Sequence, residues 1–254
     1  MTWWDAAFLA AAGVLGGLTG SIAGLASVAT YPALLLVGLP PVTANVTNTV
    51  AVVFNGVGSI WGSRPELEGQ GPWLKRIAPV AALGGLVGAI LLLSLPAEGF
   101  EKVVPLLLAF ASVAIVIPAR QRKDATVASH RRHRVTLILE SAAIFVICIY
   151  GGYFGAAAGV LLLAILLRAG GATLAHANAG KNVILGVANG AAALVFVVFA
   201  PVAWAAVVPL GLGCLMGSRL GPAVVRRAPA GLLRGVIGVA ALALAVKLGI
   251  DAYR

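Results

Sequence analysis

Charge is scarce in this chain. Only 10% of its 254 residues are Asp, Glu, Lys or Arg, while 61% are hydrophobic. A water-soluble domain carries about 25% charged residues, so the soluble globular class is excluded. The charges are also lopsided, with 8 acidic against 18 basic residues and a formal net of +10. Nucleic acid is nevertheless excluded as a partner. The basic residues sit in loops between apolar runs, the pattern of an anionic membrane face. Cysteine is limited to Cys148 and Cys214, both inside apolar runs, where they read as small packing residues rather than a disulfide or metal pair. The three histidines, His130, His133 and His176, and the few acids make no Ser-His, paired-carboxylate or metal constellation. That argues against an enzyme and implies no cofactor. No GxxxxGK[ST] loop is present, so the chain does not hydrolyse ATP itself. Met1 to Asp5 lacks the basic start of a signal peptide, and the first apolar segment is expected to be retained.

Long uncharged runs take the place of charge. Ala6 to Ser63, Ser141 to Leu167 and Asn182 to Ser218 contain no charged residue. Each exceeds the roughly 20 residues that span a hydrocarbon core. The expected fold is therefore an all-α polytopic membrane protein embedded in a lipid bilayer. A β-barrel would alternate polar and apolar residues in segments of about ten, and these runs do not.

One stretch occurs twice. The first copy runs Gly16-Gly17-Leu18-Thr19-Gly20-Ser21-Ile22-Ala23-Gly24, then Ala44-Asn45-Val46-Thr47-Asn48 and Asn55-Gly56. The second runs Gly151-Gly152-Tyr153-Phe154-Gly155-Ala156-Ala157-Ala158-Gly159, then Ala177-Asn178, Lys181-Asn182 and Asn189-Gly190. The glycine blocks agree at five of nine positions. Leu83-Gly84-Gly85-Leu86-Val87-Gly88 likewise resembles Leu212-Gly213-Cys214-Leu215-Met216-Gly217, with small-xxx-small spacing suited to close helix packing. Internal duplication in an apolar chain is the signature of a transporter. The predicted organisation is a first transmembrane repeat over 1–119, a basic linker over 120–134 and a second repeat over 135–254. About eight hydrophobic segments are expected. The first and fifth are too long for one simple span and are read as broken, re-entrant half-helices. In the first, the Gly16-Gly17 pair and Pro32 mark the break. Val42 to Gly62 is read as the next helix, Arg64 to Arg76 as a charged loop, and Val103 to Ala119 and Pro229 to Ile250 as later spans.

Loops 64–76, 120–134, 168–171 and 219–234 hold 14 of the 18 basic residues, which assigns them to the cytoplasm. Loop 96–102 and the stretches near 38–41 and 200–203 then lie outside. This arrangement requires each broken element to enter and leave by one face, which makes the two repeats inverted. Two parallel halves would put basic loops on the wrong side.

The polar residues left inside the membrane are few. Asn45, Asn48 and Asn55 fall near one helical face, and Asn182 and Asn189 repeat their spacing. Amides donate and accept without charge, so they serve either as substrate contacts or as glue between helices. Lys181 is the only charged residue well inside the second pair of broken helices. An intramembrane lysine is costly and points to function, unless it snorkels to the interface. Broken helices add backbone N–H groups and positive dipole ends. Together these imply a small anionic substrate, with coupling to H⁺ or Na⁺ left unassigned. The expected binding set is Asn45, Asn48, Asn55, Asn178, Lys181, Asn182, Asn189, Tyr150, Tyr153, Gly20 and Gly155. His176 is read as interfacial. Asp5 and Glu140, each 11 residues before a Gly-Gly pair, are read as helix N-terminal caps.

The stretches Tyr150 to Ala156, Ala177-Asn178 with Lys181-Asn182, Ala44 to Thr49 and Leu39-Pro40-Pro41 resemble the TauE/SafE sulfite exporter family of bacterial membrane proteins. The resemblance covers nearly the whole chain and both copies. It implies a bacterial inner-membrane transporter of sulfite, sulfonates or related sulfur-containing anions, with a homodimer as one assembly. Members commonly carry a richer glycine run in the first repeat, where this chain has Gly20 to Ser27. An anion channel and an uptake permease for other small organic anions are the alternatives.

Overall fold

The structure is a computed structural model, which describes residues 1–96, 134–156, 158–168 and 173–227, together with Val246 and Ile250. These residues are helical, with no strand among them. The helices are α1 (Trp3–Ala23), α2 (Ala26–Leu36), α3 (Pro41–Gly62), α4 (Arg64–Leu67), α5 (Gly71–Ser94), α6 (Arg134–Tyr153), α7 (Ala158–Arg168), α8 (Leu174–Phe199) and α9 (Trp204–Arg227). Four are long and apolar enough to cross a membrane: Trp3–Ala23, Gly71–Ser94, Leu174–Phe199 and Trp204–Arg226. α3 matches them in length, but its amides and hydroxyls lower its hydropathy. The expected spans Val103–Ala119 and Pro229–Ile250 and most of the linker 120–134 lie outside the described residues.

The long apolar runs are broken as expected, but at different places. α1 runs unbroken through Gly16-Gly17 and stops at Gly24, which has φ 76°. There the chain takes the left-handed conformation that glycine supplies. Pro32 sits inside α2 rather than between helices. In the second copy, α6 continues through Gly151-Gly152, and the turn comes at Gly155 with φ 74°. The paired glycines serve contact instead. Gly16 faces Thr30 and Gly20 faces Ala26, so α1 and α2 lie side by side as an antiparallel hairpin. Its tip residues Ile22, Ala23 and Leu25 are buried.

Glycine also sets how the halves meet. Gly13 packs on Gly213, and Gly17 on Cys214 and Ser218. In the other half, Gly84 packs on Cys148, and Gly88 on Ile149 and Gly152. The first helix of each sequence copy thus runs along the third of the other copy, through equivalent positions. Both cysteines are buried and free, in the packing role their apolar setting predicts. α3 and α8 cross in opposite directions: Ala203 N donates to Thr47 Oγ1, Gly56 meets Gly186, and Asn182 reaches Ser63. One apolar cluster, with Leu9, Leu34, Leu92 and Phe196, closes one end of the bundle. Another, with Ile77, Ile144, Leu163 and Ala177, lies toward the other.

The second end carries the polar loops. Residues 64–76 are helical rather than loop at both ends, as α4 and the first turns of α5. Proline at the start of each, Pro65 and Pro72, is preorganised for an N-terminal turn. Glu66 receives Arg226 Nε at 2.5 Å and Nη2 at 3.0 Å. Gln70 Nε2 donates to the carbonyls of Glu66 at 2.6 Å and His176 at 3.1 Å. Arg219 stacks on Trp61 at 4.2 Å. His176 is exposed, within hydrogen-bond distance of Thr173. Asp5 caps α1 as expected, accepting from Thr2 N at 2.6 Å. Glu140 does not cap, because α6 begins at Arg134 and leaves it well inside the helix.

The hydrogen bond from Arg226 holds the Glu66 carboxyl below the ordinary glutamate range. A depressed carboxylate stabilises the fold fully above its unfolded value, and that contribution is lost as pH falls through the lower folded value. Arg226→Ala should therefore cost about 1–2 kcal/mol at neutral pH, less than a fully buried pair because Arg226 is partly exposed. Melting curves of wild type and Arg226→Ala should draw together in acid, leaving the part owed to the Arg226 Nη2 bond to Gly62 O at 2.9 Å. A gap that does not narrow at all on acidification would show that the ion pair is not its source.

Candidate functional site

Where the two hairpin tips meet, Gly24 lies directly against Gly159. Beside this contact is a cavity of about 30 Å³, room for a solute of a few atoms. Both halves line it. The first half contributes Gly20, Ser27, Thr49, Asn55 and Ser59, and the second Gly155, Ala158, Asn182 and Asn189. None of the lining side chains is charged.

The returning helices dominate its electrostatics. Ala26 and Ser27 are the first residues of α2, and Ala158 is the first of α7. All three line the cavity, so two helices of 11 residues each end there by their N-termini. Leu25, the N-cap of α2, supplies no side-chain hydrogen bond. Val28 N turns back to Leu25 O at 3.2 Å, no side chain at the N-cap serves the N–H groups before it, and an N-terminus carries roughly half a positive charge. Asn55, Asn182 and Asn189 add amides, and Thr49 and Ser59 add hydroxyls. The arrangement is rich in donors and positive in potential without any lining cation, which suits a small anion.

Five of the eleven expected residues line this cavity: Gly20, Asn55, Gly155, Asn182 and Asn189. The other six hold the walls in place. Asn45 Nδ2 donates to Tyr153 O at 2.8 Å, tying α3 to the end of α6. Asn178 Nδ2 donates to Ser21 O at 3.0 Å, and Lys181 Nζ to Gly20 O and Ser21 O at 3.2 Å each, tying α8 to the end of α1. Each half thus clamps the C-terminal carbonyls of the other half's first helix. Asn48 instead binds its own hairpin, accepting from Thr30 Oγ1 at 2.5 Å and donating to Ser27 Oγ at 3.0 Å. Tyr150 latches the second turn, its hydroxyl donating to Ala156 O at 2.6 Å. Tyr153 packs against the apolar cluster at the first end. Lys181 does not snorkel, since it is fully buried.

The clamps leave a cost. The amide oxygens of Asn45, Asn55 and Asn178 are buried without a partner among the described residues. An orphaned acceptor costs about 1–3 kcal/mol. Sequence reasoning passed over Ser27 and Ser59. Ser59 was accessible to it, one helical turn after Asn55. Ser27 was not, because it reaches the cavity only through the turn at Gly24.

The model of the sulfite exporter TauE/SafE family matches residues 9–248. A probable membrane transporter protein, ORF9, of a Sinorhizobium species is 26% identical over 96% of this chain and 92% of its own length. The probable membrane transporter protein YfcA of Escherichia coli K12 is 26% identical over 94% of this chain and 88% of its own. A probable membrane transporter protein of Haemophilus influenzae is 24% identical over 96% and 94%. No solved structure matches.

Proposed function

Because the chain belongs to the sulfite exporter TauE/SafE family of membrane transporters, we propose that it carries small anions across a membrane by alternating access and is not an enzyme. Sulfite, organosulfonates and related sulfur-containing anions are the leading substrates. The observation that carries this reading is the convergence of the α2 and α7 N-termini on one cavity between the halves. Broken half-helices that aim positive ends at a shared site are how secondary transporters hold anionic groups. The opposed directions of α3 and α8, which are equivalent helices of the sequence repeat, support inverted repeats over 1–119 and 135–254. Glu66, Gln70, His176 and Arg226 gather at one end. In this reading that end, with loop 120–134, faces the cytoplasm of a bacterial cell, and the protein crosses its inner membrane several times.

Proteoliposomes holding the pure protein should take up labelled sulfite with saturation, and methanesulfonate should compete more strongly than acetate. Flux that rises linearly with concentration would favour a channel. Sulfite uptake no faster than in empty liposomes would overturn the anion assignment.

A further inference from the structure

Lys181 stands just behind the cavity wall. Its ammonium donates to the carbonyls of Gly20, which lines the cavity, and of Ser21. Its chain neighbour Asn182 also lines the cavity. The side chain is fully buried, and no carboxylate pairs with it among the described residues. Its partners are carbonyls of the last turn of α1, the negative end of that helix. In transporters built from broken helices, such carbonyl ends coordinate a soluble coupling cation. Here a tethered ammonium fills that place.

We propose that Lys181 is the proton-carrying group of this transporter, so that the coupling ion is H⁺ bound at Nζ and Na⁺ has no part. This rests on the anion-pocket reading. An anion in the cavity is the counter-charge that the buried ammonium otherwise lacks. Occupancy of the pocket and protonation of Nζ therefore favour each other by one and the same free energy. The proton enters with the anion, is held on the amine while the anion is bound, and returns to water when the anion leaves. No bond other than N–H is made or broken.

Other titratable groups are placed elsewhere. On α1, Asp5 is engaged with Thr2 at the helix start. On α4, Glu66 is held by Arg226 of α9, and Arg64 and Arg219 lie over Trp61. Lys75 and Arg76 of α5 are exposed. On α6, the Tyr150 hydroxyl is spent on Ala156 O, and Glu140 lies nearer the helix start. On α8 itself, His176 is engaged with Thr173. α3 carries no titratable group, and α7 has only its terminal Arg168. Among the described residues, Nζ donates to the carbonyls of Gly20 and Ser21 and to none of these groups.

The probe is methanesulfonate, a monoanion at every accessible pH, added to the purified full chain. Calorimetry in buffers of different ionisation enthalpy counts the protons exchanged. Wild type should take up a fraction of one proton per anion, equally in sodium and choline chloride. Its affinity should fall as pH rises and Nζ loses its proton. Lys181→Arg keeps its charge throughout; whatever affinity it retains, binding should come with no proton uptake and a flat pH profile. Methanesulfonate bound by wild type without proton uptake, or only with Na⁺, overturns the role of Lys181 and leaves the anion pocket standing. That result is decisive even if the variant misfolds. Failure of methanesulfonate, sulfite and acetate to bind at any pH overturns both readings.

Discussion

Gly24→Ala should remove a large share of the protein's stability. Gly24 sits at φ 76°, where an L side chain costs about 1–2 kcal/mol. A Cβ there would also collide with the backbone of Gly159, all three of its nearest neighbours being backbone atoms of that residue. Backbone cannot swing aside as a side-chain tip does, so the two hairpin tips would have to separate. Overpacking of this kind adds about 1–3 kcal/mol. The total, roughly 2–5 kcal/mol, is a large share of the 5–15 kcal/mol typical of a whole domain. Gly159→Ala meets the same contact without the φ penalty and should lose less. Gly38→Ala shares the strain, with φ 88°, but nothing lies within 4 Å of its added carbon. It should cost only that strain, about 1–2 kcal/mol. The yield of monodisperse protein in detergent and its melting temperature should rank the three variants Gly38→Ala, Gly159→Ala, Gly24→Ala from mildest to worst. If Gly24→Ala melted like Gly38→Ala, the tips would not touch.

The same glycines mark what the sequence could disclose. Duplication of the Gly16-Gly17 and Gly151-Gly152 blocks pointed correctly to two broken elements, because broken helices need both a turn and close neighbours. It did not say which glycine turned. A glycine kept for contact and one kept for φ look alike as letters, and only the backbone separates Gly16 from Gly24. The asparagine spacing was equally half informative. It placed Asn45, Asn48 and Asn55 near one face of α3, as period 3.6 requires. That face then meets three different neighbours along its length: the end of α6, the inner side of α2 and the cavity. Periodicity gives direction but not depth. Lys181 shows the limit most plainly. Its intramembrane position was legible from hydropathy, whereas its engagement with the α1 carbonyls depends on a packing between halves that no local pattern encodes.

Depth also separates two kinds of amide experimentally. Asn55 and Asn189 line the cavity, and among the described residues neither has a hydrogen-bond partner. Their lost interactions would fall on the ligand. A hydrogen bond to a charged group is worth about 1.5–3 kcal/mol, so Asn55→Ala and Asn189→Ala should each weaken anion affinity by roughly 10-fold to 150-fold. Melting temperature should barely move, and Asn55→Ala also removes a buried acceptor that has no partner. Asn178→Ala should behave the other way. Its amide reaches Ser21 O and not the cavity, so its loss frees a carbonyl at the tip of the first hairpin. A drop in stability of about 1–2 kcal/mol should come first, with affinity altered only as the tip loosens. Anion titration and thermal melting on the same preparations would separate the two groups. If all three variants lost affinity and stability together, the cavity and the clamp would be one inseparable unit, and the anion would have no contacts of its own.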